Sequence, residues 1–202
     1  MSPLFVLAHG AGAGQSHPFM QWWQQRLAAV GKVVPFEYPY MEKPGRRPPD
    51  RLPKLLVRHR EVLDAARADH PGESVFLVGK SMGSRVGCHL ANEPDLAGAI
   101  TGIVCLGYPL QGTAAVRDEV LVALRTPILL VQGTRDRLCP LDLLATVRAR
   151  MTAPNTLHVV DRGDHSLRLR KRDLVELETT QEAADEAAYQ AVVEFVRGHL
   201  GE

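Results

Sequence analysis

The sequence VFLVGKSMGSR, residues 75–85, joins an apolar run to a turn of small residues. Four apolar side chains precede Gly79, and Gly79, Ser81 and Gly83 complete the pattern Gly-x-Ser-x-Gly. This stretch predicts a buried strand, a sharp turn at Ser81 and a helix that begins at Met82. Both glycines are required, because a Cβ at either position would collide with the neighbouring backbone.

A strand, turn and helix of this kind are typical of a nucleophile elbow. The turn lifts the Ser81 hydroxyl above the edge of the sheet and directs the backbone N–H of Met82 to the place where an oxyanion would form. The pattern also arises by chance, so the rest of the chain must supply the partners that such a serine needs.

Length and composition bound the fold. The chain has 202 residues, of which 45% are hydrophobic, and its formal net charge is +1. We therefore expect one globular domain over residues 1–202. The near-neutral charge gives no reason to expect nucleic acid or membrane binding. Three cysteines without Cys-x-x-Cys spacing favour free buried thiols, and we expect neither a metal ion nor a cofactor.

The N-terminal apolar run predicts the location of the protein. It covers only residues 4–8, and no basic residue precedes it. Both features argue against a signal peptide, and no stretch is apolar enough to span a bilayer. We expect a cytoplasmic protein whose partner is a small-molecule ester, and the sequence leaves the oligomeric state open.

Apolar runs alternate with helical patterns along the chain. The predicted strands cover residues 4–8, 32–38, 75–78, 100–106, 127–133 and 156–160. The predicted helices cover residues 52–67, 82–92, 140–151 and 180–197, with one more between a cap at Ser16 and a stop at Gly31. Prolines forbid regular structure from about Pro39 to Asp50. This alternation predicts an α/β fold with a mostly parallel sheet of about six strands.

Two residues that follow later strands match the needs of a reactive serine. Acyl transfer requires an imidazole that accepts the hydroxyl proton and a carboxylate that orients the imidazole. Asp136 follows the fifth predicted strand and His165 follows the sixth. The carboxyl ends of parallel strands share one edge of the sheet, so Ser81, Asp136 and His165 are expected to meet there. Their order along the chain is that of α/β-hydrolases.

Each of these residues also has a structural interpretation. Asp136 is placed to cap a helix near Pro140, and His165 is one of eight histidines in the chain. Asp164 and Asp161 are rival acids, although a residue adjacent to the histidine usually cannot reach back to its ring. The conjunction of the three residues in order is what favours the catalytic interpretation.

The glycine-rich sequence HGAGAG, residues 9–14, follows the first strand. It resembles the His-Gly oxyanion turns of esterases, in which the N–H of Ala11 would join that of Met82. A competing interpretation is a dinucleotide-binding unit that uses these glycines with Glu37. The spacing is GxGxG instead of GxGxxG, and that interpretation leaves the turn at Ser81 unexplained.

Five motifs in order resemble one family. They are HGAGAG (9–14), GKSMGSR (79–85), LGYPL (106–110), VQGTRD (131–136) and GDHS (163–166). Together they are similar to the small α/β-hydrolases related to testis-expressed protein 30, a branch distantly similar to dienelactone hydrolases. The resemblance covers residues 4–200 and implies a minimal, lidless three-layer α/β-hydrolase fold with Ser81, Asp136 and His165 as a triad.

The resemblance also limits what is carried over. The His-Pro-Pro that the family places after Gly-Tyr-Pro-Leu is replaced by Gln-Gly-Thr, residues 111–113, so no substrate preference follows. Some members of the group are better known as subunits of larger assemblies. The alternative to a serine carboxylesterase that acts on small or short-acyl esters is therefore a non-catalytic interaction module with the same fold.

The connection of residues 107–126 is too short to build a cap, which predicts an open site. The side chains expected to line the pocket are Trp22, Tyr40, Tyr108 and Leu110, with a core or surface position as the alternative for each. Basic residues flank the same loops, namely Arg46, Arg47, Arg168, Arg170, Lys171 and Arg172. A solvated face is the expected role of these charges, and recognition of an anionic substrate is the alternative.

Overall fold

Strands form the centre of the computed structural model, which describes residues 2–42, 45, 47–112 and 115–200. Within these residues the strands are β1 (Pro3–Ala8), β2 (Lys32–Phe36), β3 (Ser74–Lys80), β4 (Gly102–Leu106), β5 (Ile128–Gly133) and β6 (Asn155–Val160). They form one sheet in the order β2-β1-β3-β4-β5-β6, and every pairing is parallel. The predicted α/β fold with a parallel sheet of about six strands is confirmed.

Helices cover both faces of this sheet. They are α1 (Pro18–Ala28), α2 (Leu52–Asp69), α3 (Met82–Ala91), α4 (Glu119–Val122), α5 (Leu141–Arg148), α6 (Lys171–Glu176) and α7 (Gln181–His199), with a 3₁₀ turn at Pro94–Leu96. Alternate residues of β1 enter different cores: Val6 packs with α2 and α3, whereas Leu7 packs with α1 and α7. The result is three layers.

The four central strands are buried on both faces. Every residue of β1, β3, β4 and β5 is buried, whereas the edge strands β2 and β6 are partly exposed. Strands covered by helices on both sides need apolar side chains at every position. This is why the continuous apolar runs at these four strands identified them from sequence.

Several predicted boundaries differ from the structure, such as the helix predicted over 140–151, which ends at Arg148, and two of the differences have a clear local reason. The second strand ends at Phe36 instead of Tyr38, because the N–H of Tyr38 donates to Nε2 of His9 and not to the sheet. The cap of α1 is His17 instead of Ser16, since Nδ1 of His17 accepts from the N–H of Phe19. Pro18 then occupies the first helical position, where its missing N–H costs nothing.

The connection between β4 and β5 is short, as predicted. In its described part the only helix is the four-residue α4, and an isolated antiparallel bridge joins Gln111 to Val116. Neither element covers the sheet edge as a cap domain would. Cys88, Cys105 and Cys139 are free and buried, which confirms their prediction as free thiols. No helix in the described part of the chain is both long and apolar enough to cross a membrane.

Candidate active site

Ser81 lies in a strained turn between β3 and α3. Its backbone has φ 50° and ψ −110°, a combination that non-glycine residues rarely adopt. A Cβ at Gly83 would come within 2.6 Å of the carbonyl oxygen of Ala8, and one at Gly79 would overlap the backbone nitrogen of Ser84. The prediction that both glycines are required is confirmed, because β1, the turn and α3 touch through backbone atoms here.

The three residues predicted from sequence lie in one chain of hydrogen bonds. Oγ of Ser81 is 2.7 Å from Nε2 of His165, and Nδ1 of His165 is 2.8 Å from Oδ2 of Asp136. Asp136 follows β5 and His165 follows β6, so both come from the carboxyl edge of the sheet. The geometry permits proton transfer from the serine to the imidazole while the carboxylate fixes the ring.

Asp136 is held by more than the histidine. Its side chain is fully buried, and its Oδ1 accepts from the N–H of Leu138 at 2.8 Å. Oδ2 accepts from Nε2 of Gln132, whose own Oε1 accepts from the N–H of Tyr108 at 3.0 Å. Gln132 was missed by the sequence analysis. The available signal was a polar residue inside the otherwise apolar strand β5.

The rival acids have other partners. Asp164 accepts from the N–H groups of Ser166 and Arg168, at 2.7 and 3.0 Å, and so closes the turn that carries His165. Asp161 lies 3.4 Å from the hydroxyl of Thr134. Neither carboxylate contacts the histidine ring.

Lys80 is a second residue that the sequence analysis missed. It is buried next to Ser81, and its ammonium donates to the carbonyl oxygen of His165. Burial lowers the pKa of Lys80 to about 8, although Asp136 and Asp164 favour the charged form. Lys80 thereby ties the histidine loop to the end of β3. A lysine at the end of an apolar strand was the signal in the sequence.

His9 is fully buried beneath the glycine-rich loop. Burial lowers its pKa, and the Glu37 carboxylate, 3.0 Å from Nε2, opposes this effect without outweighing it. The neutral ring accepts from the N–H of Tyr38 at Nε2 and donates from Nδ1 to the carbonyl of Gly10 at 2.7 Å.

The orientation of the Gly10–Ala11 peptide follows from these contacts. The Tyr40 hydroxyl lies 3.2 Å from the Gly10 carbonyl and 3.1 Å from the Ala11 carbonyl, and burial raises the pKa of Tyr40 to about 12, so it remains a donor. In a trans peptide the N–H points away from the carbonyl. Because His9 and Tyr40 hold the Gly10 carbonyl inside, the N–H of Ala11 points outward.

Met82 is the first residue of α3, where a backbone N–H has no partner within the helix. Among the described residues, no hydrogen bond uses the N–H of Met82 or of Ala11. Ala11, Ser81 and Met82 line the same cavity of about 500 Å³. Two free donors therefore lie beside the serine, as expected for an oxyanion site.

A sequence model of the alpha/beta hydrolase domain family matches residues 1–197. The chain belongs to this family. Among the described residues of this α/β-hydrolase, no group of three or more His, Cys, Asp or Glu side chains is placed to hold a metal ion.

Solved structures with the same fold include a dienelactone hydrolase from Anabaena variabilis, with 17% identity, TM-score 0.68 and coverage of 93% of this chain and 84% of that one. Est1E from Butyrivibrio proteoclasticus is 14% identical, with TM-score 0.70 and coverage of 97% and 89%. An esterase from Pyrococcus furiosus is 15% identical, with TM-score 0.73 and coverage of 99% and 83%. At these identities the likeness concerns the fold. The resemblance to testis-expressed protein 30 stays a prediction from sequence.

Three of the four predicted pocket residues are buried in this α/β-hydrolase. Tyr108 and Leu110 have no exposed surface, so they belong to the core and cannot line an open pocket. Tyr40 is 3% exposed and supports the Gly10–Ala11 peptide from behind. Trp22 lines a cavity of about 620 Å³ that shares His17, Phe19 and Ser166 with a cavity beside Ser81, so its place in the substrate pocket stays a prediction. The predictions for Tyr40, Tyr108 and Leu110 were wrong because large apolar side chains carry the same sequence signal in a core as in a pocket.

The residues that surround Ser81 come from several segments of the chain. A cavity of about 330 Å³ beside Ser81 is lined by the glycine-rich loop, by the first turn of α1 and by the histidine loop. Its side chains include His17, Phe19, Met20, Lys80 and Leu138. Both this cavity and the 500 Å³ cavity reach Ser81, Ala11 and Leu138, so they are two arms of one groove.

Glu37, the acidic residue that the dinucleotide-binding interpretation requires, is engaged by the glycine-rich loop itself. Oε1 of Glu37 accepts from the N–H of Gln15 at 2.8 Å, and a Cβ at Gly14 would lie 2.5 Å from this carboxylate. Glu37 thus holds the glycine-rich loop in place, and this internal contact accounts for both glycine and glutamate without a nucleotide.

Proposed function

We propose that this α/β-hydrolase is a serine hydrolase that cleaves carboxylic esters through an acyl-enzyme on Ser81. The observation that carries the proposal is the continuous hydrogen-bond chain from Ser81 through His165 to buried Asp136, with distances of 2.7 and 2.8 Å. A fold alone does not establish an activity, so the support for the proposal comes from this site.

In the first half of the reaction, Oγ of Ser81 attacks the ester carbonyl carbon while Nε2 of His165 accepts the hydroxyl proton. Asp136 accepts a hydrogen bond from Nδ1–H, which selects the correct tautomer and stabilises the imidazolium. The carbonyl electrons move to oxygen, and the outward N–H groups of Ala11 and Met82 are the donors for that oxyanion. The tetrahedral intermediate then collapses and expels the alcohol, which takes the proton from His165.

In the second half, water replaces the alcohol. His165 accepts a proton from water as the oxygen attacks the acyl carbon, and the collapse of the second tetrahedral intermediate returns the proton to Ser81. This second half releases the free acid and regenerates Ser81. The predicted preference for short-acyl esters is compatible with a groove whose two arms are small and open to solvent.

Hydrolysis of 4-nitrophenyl butyrate tests the proposal. Wild-type protein should release nitrophenolate, and Ser81→Ala should lower kcat by about 10⁴ or more, since loss of the nucleophile leaves only binding and oxyanion contributions. Ser16→Ala is the matched control, because Ser16 is exposed and lies outside the cavities that contain Ser81. Equal rates in wild type and Ser81→Ala would instead favour a non-catalytic interaction module.

A further inference from the structure

One arm of the groove at Ser81 is rich in arginine. The cavity of about 500 Å³ that contains Ser81 and Met82 is also lined by Arg85, Arg117 and Arg137. These arginines come from three separate segments of the chain. They differ from the basic residues that the sequence analysis singled out.

Each of the three arginines lies on a segment that borders the cavity at Ser81. Arg85 lies on α3 one turn after Ser81, so its side chain starts about 6 Å along the helix axis from the serine. The N–H of Arg117 donates to the carbonyl of Leu110 at 2.7 Å, and its guanidinium packs against the backbone of Gly112. Arg137 directly follows Asp136 and is exposed.

These guanidinium groups lack the usual partners. Among the described residues, the arginine–carboxylate pairs within 4.0 Å do not include Arg85, Arg117 or Arg137. The carboxylate that lines the same cavity, Asp50, is paired with Lys54 at 2.9 Å. Partial burial lowers the pKa of Arg85, and the charge of Arg117 lowers it further. Like charges are therefore close together without internal compensation.

Several other arginines are paired with carboxylates. Arg60 contacts three carboxylates, those of Asp64, Glu93 and Asp95. In the predicted basic run, Arg168 lies 3.6 Å from Asp185. Beyond the other arm, the 620 Å³ cavity is lined by Asp164, Glu182 and Asp185. Of the cavities around Ser81, the arm of about 500 Å³ is thus the one that is lined by arginines without a carboxylate partner.

We propose that the arginine-lined arm is an anion subsite, which selects esters that carry a carboxylate or a phosphate group. This inference rests on the proposed function for the ester bond and adds the class of substrate. Arg85 and Arg117 hold the anion inside the cavity, and Arg137 extends the positive surface to its mouth. The planar fork of a guanidinium binds carboxylate and phosphate oxygens with two hydrogen bonds, which explains the use of arginine here.

Matched ester pairs test the selection. The first pair of esters is 4-nitrophenyl hydrogen glutarate and its neutral methyl ester, in which the carboxylate lies on the acyl side. The second pair is 4-acetoxyphenyl phosphate and its neutral dimethyl ester, in which the phosphate lies on the leaving group. In at least one pair the kcat/KM of the anionic ester should be about tenfold or more above that of the neutral ester. The pair with the larger ratio of the two kcat/KM values identifies the anion.

The variants Arg85→Gln and Arg117→Gln should each lower this ratio towards 1. Arg67→Gln is the control, because Arg67 lines a cavity at the opposite edge of the sheet, with Ser74 and Thr101, and should keep the wild-type ratio. Added salt should also reduce the ratio in the wild-type protein, which needs no variant. A ratio near 1 for both ester pairs would overturn the proposal. So would a wild-type ratio in the double variant that carries both Arg85→Gln and Arg117→Gln.

A binding measurement separates this inference from the proposed function. Calorimetry on Ser81→Ala compares monomethyl glutarate and methyl phosphate with dimethyl glutarate, so no turnover is needed. We expect about tenfold tighter binding of at least one anion, and loss of this difference when Arg85→Gln is added. Anion binding without ester hydrolysis would support the subsite and reject the esterase. Ser81-dependent hydrolysis without any preference for anions would support the esterase and reject the anion subsite.

Discussion

At the scale of single residues, the proposed reaction depends on which carboxylate orients His165. Asp136 accepts from Nδ1 of the ring and also from Leu138 and Gln132, so its oxygens are fixed as acceptors. We predict that Asp136→Asn keeps the fold but lowers kcat by up to about 10⁴, because an amide no longer enforces the required tautomer. Steady-state kinetics with 4-nitrophenyl butyrate measure this change.

Asp164→Asn is the control for that prediction. Asp164 shapes the loop through the N–H groups of Ser166 and Arg168 without touching the imidazole. Its replacement should cost far less activity than Asp136→Asn. A loss below about tenfold for Asp136→Asn, with a larger loss for Asp164→Asn, would assign the role to Asp164.

The Tyr40 hydroxyl offers a second test, which concerns the oxyanion donors. It helps to hold the Gly10 carbonyl inside and so keeps the N–H of Ala11 outward. Tyr40→Phe should lower kcat about fivefold with little change in KM, since about 1 kcal/mol of hydrogen bonding is lost and His9 still holds the peptide. Tyr189→Phe, on α7, should leave kcat unchanged. An unchanged kcat in Tyr40→Phe would remove Tyr40 from this positioning role.

His59 gives the protein a stability that depends on pH. Its ring is fully buried on α2, with Nδ1 3.2 Å from the Tyr38 hydroxyl, and burial lowers its pKa to about 3. The unfolded chain binds this proton near its ordinary value of about 6.5, so protonation favours unfolding below that pH. We predict that the free energy of unfolding attributable to His59 falls by about 1.4 kcal/mol per pH unit from about 6.5 towards 3.

Urea unfolding at several pH values measures this slope. His59→Leu should flatten the curve relative to wild type, because the replaced ring no longer takes up a proton on unfolding. Buried His9, with its own lowered pKa, leaves a residual slope in both proteins. Parallel curves for wild type and His59→Leu would contradict the prediction.

At the scale of elements, the contact of β1 with the start of α3 is made by backbone atoms. A Cβ at Gly83 would meet the carbonyl oxygens of Ala8 and His9 at 2.6 and 2.7 Å, and neither can move away cheaply. We predict that Gly83→Ala destabilises the protein by at least about 1–3 kcal/mol, as overpacking does, and that it lowers activity by shifting the turn. Gly198→Ala on α7 meets nothing within 4 Å and should be neutral or slightly stabilising. Equal stability of the two variants would show that the contact is not tight.

The elements also show what a sequence can predict. Central strands and the turn at Ser81 were predictable because local composition determines them: continuous apolar runs for burial on both faces, and glycine where the backbones touch. The end of β2 was not, because Tyr38 bonds to a histidine ring 29 residues earlier. The burial of Tyr108 and the position of Arg85, Arg117 and Arg137 at the groove were not predictable either. Burial and ion pairing depend on which segments the fold brings together.

At the scale of the whole molecule, the short connection after β4 decides access to Ser81. Within the described residues it contributes only α4 and one bridge, so the groove is formed by loops and by parts of α1, α2 and α3 and has no cap domain over it. At about 0.8 kcal/mol per buried methylene, a small open groove rewards only the first few carbons of an acyl chain. For neutral 4-nitrophenyl esters we predict the highest kcat/KM between about two and six carbons. A series of acyl lengths, measured below and above the micellar limit, tests this.

The opposite behaviour would expose a deep or gated pocket. If kcat/KM keeps rising to about twelve carbons, more acyl surface must be buried than the two arms of the groove provide. If the rate jumps when the substrate becomes micellar, a moving cover must exist over the site.

The most direct test of the central claim is covalent labelling of Ser81 by a fluorophosphonate. Such a probe reacts with a serine whose hydroxyl is activated by a neighbouring base, which is the property inferred from the 2.7 Å contact with His165. We predict that one probe adds to the native wild-type protein, that peptide mapping by mass spectrometry places it on Ser81, and that heat-denatured protein and Ser81→Ala are not labelled. An unlabelled native protein, or equal labelling of Ser81→Ala, would contradict the account.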